Sequence, residues 1–373
     1  MLDGKSIIAA CLDHGCNFFT GVPDSVLGGF SQACMELPKT ARHVVAANEG
    51  NAIALAVGWW LSRRTVPVVY LQNSGLGNSI NPIVSLAHPA VYAVPMVLVV
   101  GWRGAPDGKD EPQHLVQGKI TKDMLNLIGV RSIVLTLSHL VGDTIREATE
   151  LARSSRSPIA VVVPKGLVAG NPNKAPASGR GLSRSEAIAM FVEEIPRQDA
   201  IVGSTGYISR DIYDQFLERG HSTKQLFLSV GSMGHASQIA CGVALGDPRR
   251  RVWCLEGDGA LLMHLGAMAC IGTVAPENLI HVVLDNGVHA SVGGSPTCAP
   301  GADFSGLSRA LRYRNTMQAD DLAALRAKIA QVQSSQGPTM LHIRINLNEH
   351  RILGRPAAHL RPIAEEFEHF LEA

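Results

Sequence analysis

The sequence predicts an α/β protein of two doubly wound parallel-sheet domains, and three observations carry that prediction. Apolar runs of strand length recur along the chain, and most empty into a short loop rich in Gly, Asn, Asp or Ser. Segments with apolar residues at helical spacing alternate with those runs, as a parallel sheet covered by helices on both faces requires. Residues 171–181 interrupt the alternation with two prolines, two glycines and no apolar periodicity. They read as a linker between a domain over 1–170 and a second over 182–373.

Taken in order, residues 3–13 carry Ile7, Ile8, Cys11 and Leu12 at helical spacing and stop at Gly15, a C-terminal cap glycine. A strand at 17–20 breaks at Gly21-Val22-Pro23-Asp24-Ser25, and a helix follows over 26–37. The strand at 42–47 runs into Asn48-Glu49-Gly50, which opens a helix reaching Arg63. Strands at 66–71, 94–100 and 159–163 complete the first half. In the second half Ser183-Arg184-Ser185-Glu186 matches a capping box, so that domain starts with a helix. Its strands are expected at 200–202, 226–228, 252–255, 279–284 and 340–345.

Composition narrows the function classes. Of 373 residues 46% are hydrophobic and 17% charged, and 37 are glycine, which suits buried parallel sheets with tight turns rather than disorder or a coiled coil. A net charge of +1 with no basic run excludes nucleic acid and anionic membrane as expected partners. The seven cysteines form no CxxC pair and lie mostly in apolar patterns, so reduced, packed thiols in a cytoplasmic protein are expected. The first five residues have no signal-peptide pattern. The most apolar stretch, 91–100, is far short of the roughly 20 residues of a membrane helix.

The chemistry is expected at Glu256-Gly257-Asp258-Gly259-Ala260 and Asp285-Asn286-Gly287-Val288. A lone GDG marks a turn more often than a site. Here, however, it closes one strand, a second strand ends in Asn286 after a helical segment at 261–274, and parallel strands in a βαβ unit end on one edge. Asp258, Asn286 and the backbone carbonyl of Val288 then offer the hard oxygen donors that suit Mg²⁺. Gly257, Gly259 and Ala260 allow a phosphate to approach the backbone at a helix N-terminus.

These residues resemble the thiamine diphosphate enzymes, whose diphosphate and metal motif is a GDG and a distant Asn. The resemblance implies a pyrimidine-binding domain over 1–170, a diphosphate-binding domain over 182–373, and thiamine diphosphate with Mg²⁺ as cofactors. By its position Glu49 is a helix-dipole glutamate. The run Ala47-Asn48-Glu49-Gly50-Asn51-Ala52 is similar to the family motif whose glutamate hydrogen bonds ring nitrogen N1′ of the cofactor, so the resemblance implies that role for Glu49. A carboxyl group in an apolar interface has a raised pKa, which helps keep such a proton available. Ser74-Gly75-Leu76-Gly77-Asn78 is not a dinucleotide fingerprint, because Ile80 stands where a third glycine is needed. It is similar to the family's pyrimidine-domain turn, which implies cofactor contacts at Ser74, Gly75 and Asn78. Met233 in Gly231-Ser232-Met233-Gly234 reads equally as a core filler. The resemblance makes it the apolar wedge that bends the cofactor, with Gly231 and Ser232 beside it and His289 beyond the metal motif.

Further blocks narrow the resemblance to the phosphonopyruvate decarboxylase family: Gly21-Val22-Pro23-Asp24-Ser25, Gly101-Trp102-Arg103-Gly104, Lys109-Asp110-Glu111-Pro112-Gln113-His114 and His289-Ala290-Ser291-Val292-Gly293-Gly294. The implied reaction is decarboxylation of 3-phosphonopyruvate to phosphonoacetaldehyde. The substrate is then a small 2-oxo acid with a second anionic group. Asp24 and His114 are candidate proton donors, His114 reading equally as a surface histidine. Arg103 and Lys109 could bind the anion or simply be solvated. The family places its cofactor between subunits, which implies at least a homodimer. Glu256 and Asp285 depart from the Asp and Asn expected there, and Ala290 replaces an Asp. The alternatives are a sulfopyruvate decarboxylase or a non-catalytic, cofactor-binding partner subunit.

Overall fold

The apolar runs form two six-stranded sheets in which every strand pairing is parallel. The structure is a computed structural model and describes residues 1–106, 108–136, 141–170, 181–348, 351, 353–354 and 360–373. The linker expected at 171–181 lies, Gly181 apart, outside the described residues. Two compact units are present, one of Met1–Lys174 with His289–Pro296 and one of Ala175–Val288 with Thr297–Ala373.

The first sheet consists of β1 (Phe18–Gly21), β2 (Arg42–Val45), β3 (Val68–Gln72), β4 (Met96–Trp102), β5 (Arg131–Val134) and β6 (Pro158–Pro164), in the order β2-β1-β3-β4-β6-β5. β3, β4 and β6 are buried along almost their whole length, which is why they read as unbroken Val, Leu and Ile runs. β1 lies between β2 and β3, so the chain leaves it to one side and then returns to the other. Loops diverge at such a point and leave a crevice beyond the strand C-termini. The loops after β1, β2, β3 and β4 carry Asp24, Glu49, Ser74 to Asn78, and Arg103.

The second sheet consists of β7 (Ala200–Gly203), β8 (Leu226–Leu228), β9 (Val252–Gly257), β10 (Leu279–Asp285), β13 (Asn315–Ala319) and β14 (Thr339–Arg344), in the order β13-β14-β10-β9-β7-β8; a two-stranded ribbon of β11 (Val288–His289) and β12 (Ser295–Pro296) intervenes in the chain. Leu284 of β10 lies beside Gly257 of β9, so both strands end at one edge. The helix Arg184–Glu194 begins with the expected capping box between Ser183 and Glu186.

Three expectations change. β5 and β13 were not expected as named strands, because both are edge strands whose sequences, RSIV and NTMQA, are only partly buried. The helix at 26–37 is confined to Gly28–Met35, its approach being taken up by a turn in which the Leu27 amide donates to Asp24 Oδ2 at 3.3 Å. The segment 261–274 is not one helix: Asp258–Met263 and Gly266–Val274 are separated at His264 and Leu265, where His264 leaves helical geometry at φ −133°, ψ 54°. All seven cysteines are free, with Cys270 and Cys298 exposed and the others buried. Among the described residues no helix is long and apolar enough to cross a membrane.

Candidate active site

In the first unit Glu49 opens the helix Glu49–Arg63, with Asn48 as N-cap accepting from the Gly50 amide at 2.7 Å. The Glu49 side chain turns toward the loop after β3, where Asn78 Nδ2 donates to its Oε2 at 2.8 Å. Its Oε1 rests on Gly75: a Cβ there would lie 2.4 Å from Oε1, so only glycine admits the carboxyl group. Three of the expected residues, Glu49, Gly75 and Asn78, are thereby assembled around one buried carboxyl. Asn78 is engaged with Glu49. Ser74 is exposed and accepts from Gln72 Nε2 at 2.6 Å.

Asp24 is 1% exposed, and its Oδ1 has no hydrogen-bond partner among the described residues. Burial pushes its carboxyl up to about 6, against the opposing pull of nearby backbone amides and the Arg103 charge. Room for it comes from Gly101 on β4, where a Cβ would stand 2.0 Å from Oδ2. His114 is half-buried in the first turn of the helix Pro112–Leu127. Burial and then the Arg103 charge lower its imidazole to about 4, so it is neutral near pH 7.

Arg103 is not a free cation. Its Nε and Nη2 grip both oxygens of Asp110 at 2.7 and 2.6 Å, and Nη1 donates to Ser25 Oγ at 3.1 Å. Asp110 also accepts from the Gly104 amide and Lys165 Nζ. Burial alone would raise the Asp110 pKa, but these donors, led by Arg103, hold it well below the usual carboxylate range. The charge expected of Arg103 for a substrate is therefore already matched within the protein. Lys109 is exposed and makes no hydrogen bond or ion pair with another described residue.

In the second unit Gly257 ends β9 and N-caps the helix Asp258–Met263. Asp258 is 2% exposed and its Oδ2 accepts from Thr297 Oγ1 at 2.5 Å. Burial is the main cause that raises its carboxyl to about 6, with the Asp285 charge adding to it. Asn286 follows β10, and its Oδ1 accepts from the Val288 amide at 3.1 Å in a turn where Gly287 has φ +69°. Asp258, Asn286 and Val288 stand at the ends of adjacent strands, and their donors are hard oxygens that fit a magnesium ion. The loop Gly231 to Gly234 packs on this helix: a Cβ at Gly234 would lie 2.9 Å from Ala260 O. Met233 is half-buried between Ser232 at φ +52° and Gly234 at φ +87°, a backbone that displays its side chain. Gly259 and Ala260 are buried in the helix behind Asp258. His289, which belongs to the first unit, precedes the turn Ala290–Val292, and burial lowers its imidazole to about 4.

Both departures at the motif have a histidine partner. Glu256 Oε1 lies 2.6 Å from His281 Nε2, whose Nδ1 is 3.0 Å from the Tyr313 hydroxyl, and Cys254 flanks the pair on the same wholly buried face. Asp285 Oδ2 lies 3.0 Å from His342 Nε2. Thr297, His281, Tyr313 and His342 were missed in the sequence. None belongs to a short motif, and only strand register or a long loop return brings each one here. Asp110 lay within a quoted block but carried no signal of its own role.

The chain matches the thiamine pyrophosphate enzyme N-terminal TPP binding domain over residues 3–126 and the C-terminal TPP binding domain over 213–343. It is 35% identical to a phosphonopyruvate decarboxylase of Streptomyces viridochromogenes, over 100% of this chain and 95% of that protein. A phosphonopyruvate decarboxylase of Streptomyces hygroscopicus is 34% identical, over 99% and 94%. A sulfopyruvate decarboxylase of Methanosarcina acetivorans is 30% identical, over 67% and 68%. With relatives matched from end to end and both thiamine pyrophosphate domains present, the chain belongs to the phosphonopyruvate decarboxylase family of thiamine pyrophosphate enzymes.

Proposed function

We propose that the protein decarboxylates 3-phosphonopyruvate to phosphonoacetaldehyde and CO₂, with thiamine diphosphate and Mg²⁺ bound. The observation that carries this reading is the seating of Glu49 against Gly75 and Asn78 in a chain that aligns end to end with phosphonopyruvate decarboxylases. When bound, thiamine diphosphate supplies the electron sink for loss of CO₂ from a 2-oxo acid.

The chain's own residues position and move protons. Glu49 offers Oε1 to the cofactor ring while Asn78 fixes Oε2. Asp258, Asn286 and the Val288 carbonyl would hold the cation, and Met233 would pack against the cofactor. Asp24, with a carboxyl raised to about 6, is partly protonated just below neutral pH and can donate that proton. His114 is neutral there. Lys109 offers a cation to the phosphonate, with Arg103 setting the loop through Asp110. At least two copies of the chain assemble, and the protein acts in the cytoplasm.

A panel of 3-phosphonopyruvate, sulfopyruvate and pyruvate, compared by kcat/KM for CO₂ release with and without thiamine diphosphate and Mg²⁺, tests the reading. Preference for 3-phosphonopyruvate that vanishes without cofactor is expected. The similarity to sulfopyruvate decarboxylase makes that acid the second reading. No CO₂ from any of the three would favour a cofactor-binding partner subunit, the role Ala290 suggests.

A further inference from the structure

Asp285 is the last residue of β10 and the neighbour of Asn286. Both its oxygens are engaged: Oδ1 accepts from the Gly287 amide at 3.2 Å, and Oδ2 meets His342 Nε2 at 3.0 Å. The turn from Asp285 to Val288 is thus closed twice, by Asp285 on Gly287 and by Asn286 on Val288. Such side-chain bonds fix a turn that a glycine at φ +69° would otherwise leave loose.

His342 belongs to the neighbouring strand. The register puts it beside Val283, two residues before Asp285 and on the same sheet face, so its ring reaches Asp285 diagonally. It is 3% exposed and stands edge-on to Phe304, with ring centroids 5.1 Å apart, so the imidazole has one place to be. Leu284 and Gly257 are register partners, so Asp285 and Asp258 follow them at adjacent strand ends. Two carboxylates that repel each other beside an amide oxygen are relieved by a divalent cation.

We propose that His342 and Asp285 are positioning residues for the divalent cation: His342 holds the Asp285 carboxylate, which closes the turn presenting Asn286 and Val288 and adds a second negative charge beside Asp258. The proposal rests on the cation site of the preceding reading. Groups that orient metal ligands in this way set affinity without touching the ion, and their loss weakens binding by about 10–100-fold.

The test titrates Mn²⁺ into the protein with thiamine diphosphate present and follows the free ion by its electron paramagnetic resonance signal. His342→Leu, which removes the arm, is expected to weaken Mn²⁺ binding by about tenfold or more. His342→Gln keeps a donor toward Asp285 and is expected to restore most of that affinity. A His342→Leu protein of native circular dichroism that binds Mn²⁺ as tightly as wild type overturns the proposal, as does a Gln variant no better than Leu. Should the Leu variant not fold, Asp285→Asn carries the test, because it preserves the shape of the turn and removes the charge. Weakened binding in that variant supports the proposal, and unchanged binding overturns it. Wild-type protein that binds no Mn²⁺ would remove the cation reading itself, an outcome separate from any comparison of variants.

Discussion

Asn78 donates to Glu49 Oε2 at 2.8 Å across 29 positions of sequence, and this bond engages one of the glutamate's two oxygens. The other, Oε1, lies against Gly75. Glu49→Gln keeps the volume and abolishes proton exchange. Its kcat with thiamine diphosphate and Mg²⁺ is expected to fall by about 10²–10⁴-fold, the usual range for a positioned acid or base. Steady-state kinetics with a melting curve checks this, and near-full activity in the folded variant would end the proton role.

Gly101→Ala places a methyl group 2.0 Å from Asp24 Oδ2 in a strand that is hydrogen bonded on both sides. Overpacking of this kind costs about 1–3 kcal/mol, so a lower denaturant midpoint is expected. Gly77→Ala is the control. Nothing lies within 4 Å of its added Cβ, and in the helix Leu76–Pro82 alanine is favoured by up to ~1 kcal/mol.

Asp24→Asn carries a prediction in pH. The folded carboxyl titrates at about 6 against an ordinary 3.8, so between those values the folded state binds more protons than the unfolded chain. Stability from this group is therefore highest below about pH 4 and lost as pH rises through 6, a cost of about 3 kcal/mol at most. Asparagine has no such titration. The variant's melting point is expected to exceed wild type at pH 8 and to lose that advantage toward pH 4. Equal pH dependence in both proteins would contradict it.

Glu256 and His281 should be strongly coupled. His281→Leu leaves Glu256, whose Oε2 already has no hydrogen-bond partner among the described residues, without its bond at Oε1 as well, and breaking a buried pair costs about 3–5 kcal/mol. Glu256→Leu with His281→Leu removes both polar groups and is expected to lose less than the His281 variant alone. Chemical denaturation of wild type, His281→Leu, Glu256→Leu and the double variant measures this; strict additivity would show the pair to be independent.

The central strands were legible because their environment is uniform. β3, β4, β6, β9 and β10 are buried on both faces and so are apolar at nearly every position. The edge strands β5 and β13 meet solvent along part of their length, and that removes the pattern by which a strand is recognised. The break at His264 was hidden for the opposite reason: helical apolar spacing runs across it, and backbone dihedrals alone interrupt it.

At the site, Asp258 and Asn286 were readable because each immediately follows a strong strand, and parallel pairing allows one outcome for their edge. The helix start at Glu49 was readable from its adjacent residues. Charge state and partnership were not. Arg103 became a structural group once Asp110 closed on it, and Asn78 became the clasp of Glu49. The alternation of strands and helices, motif spacing and family membership follow from local sequence, because they depend on residues near one another in the chain. Which carboxylates are held by His281 and His342, and which hydroxyl meets Asp258, depend on side chains 25, 57 and 39 positions apart, and only register and packing bring them within hydrogen-bonding distance.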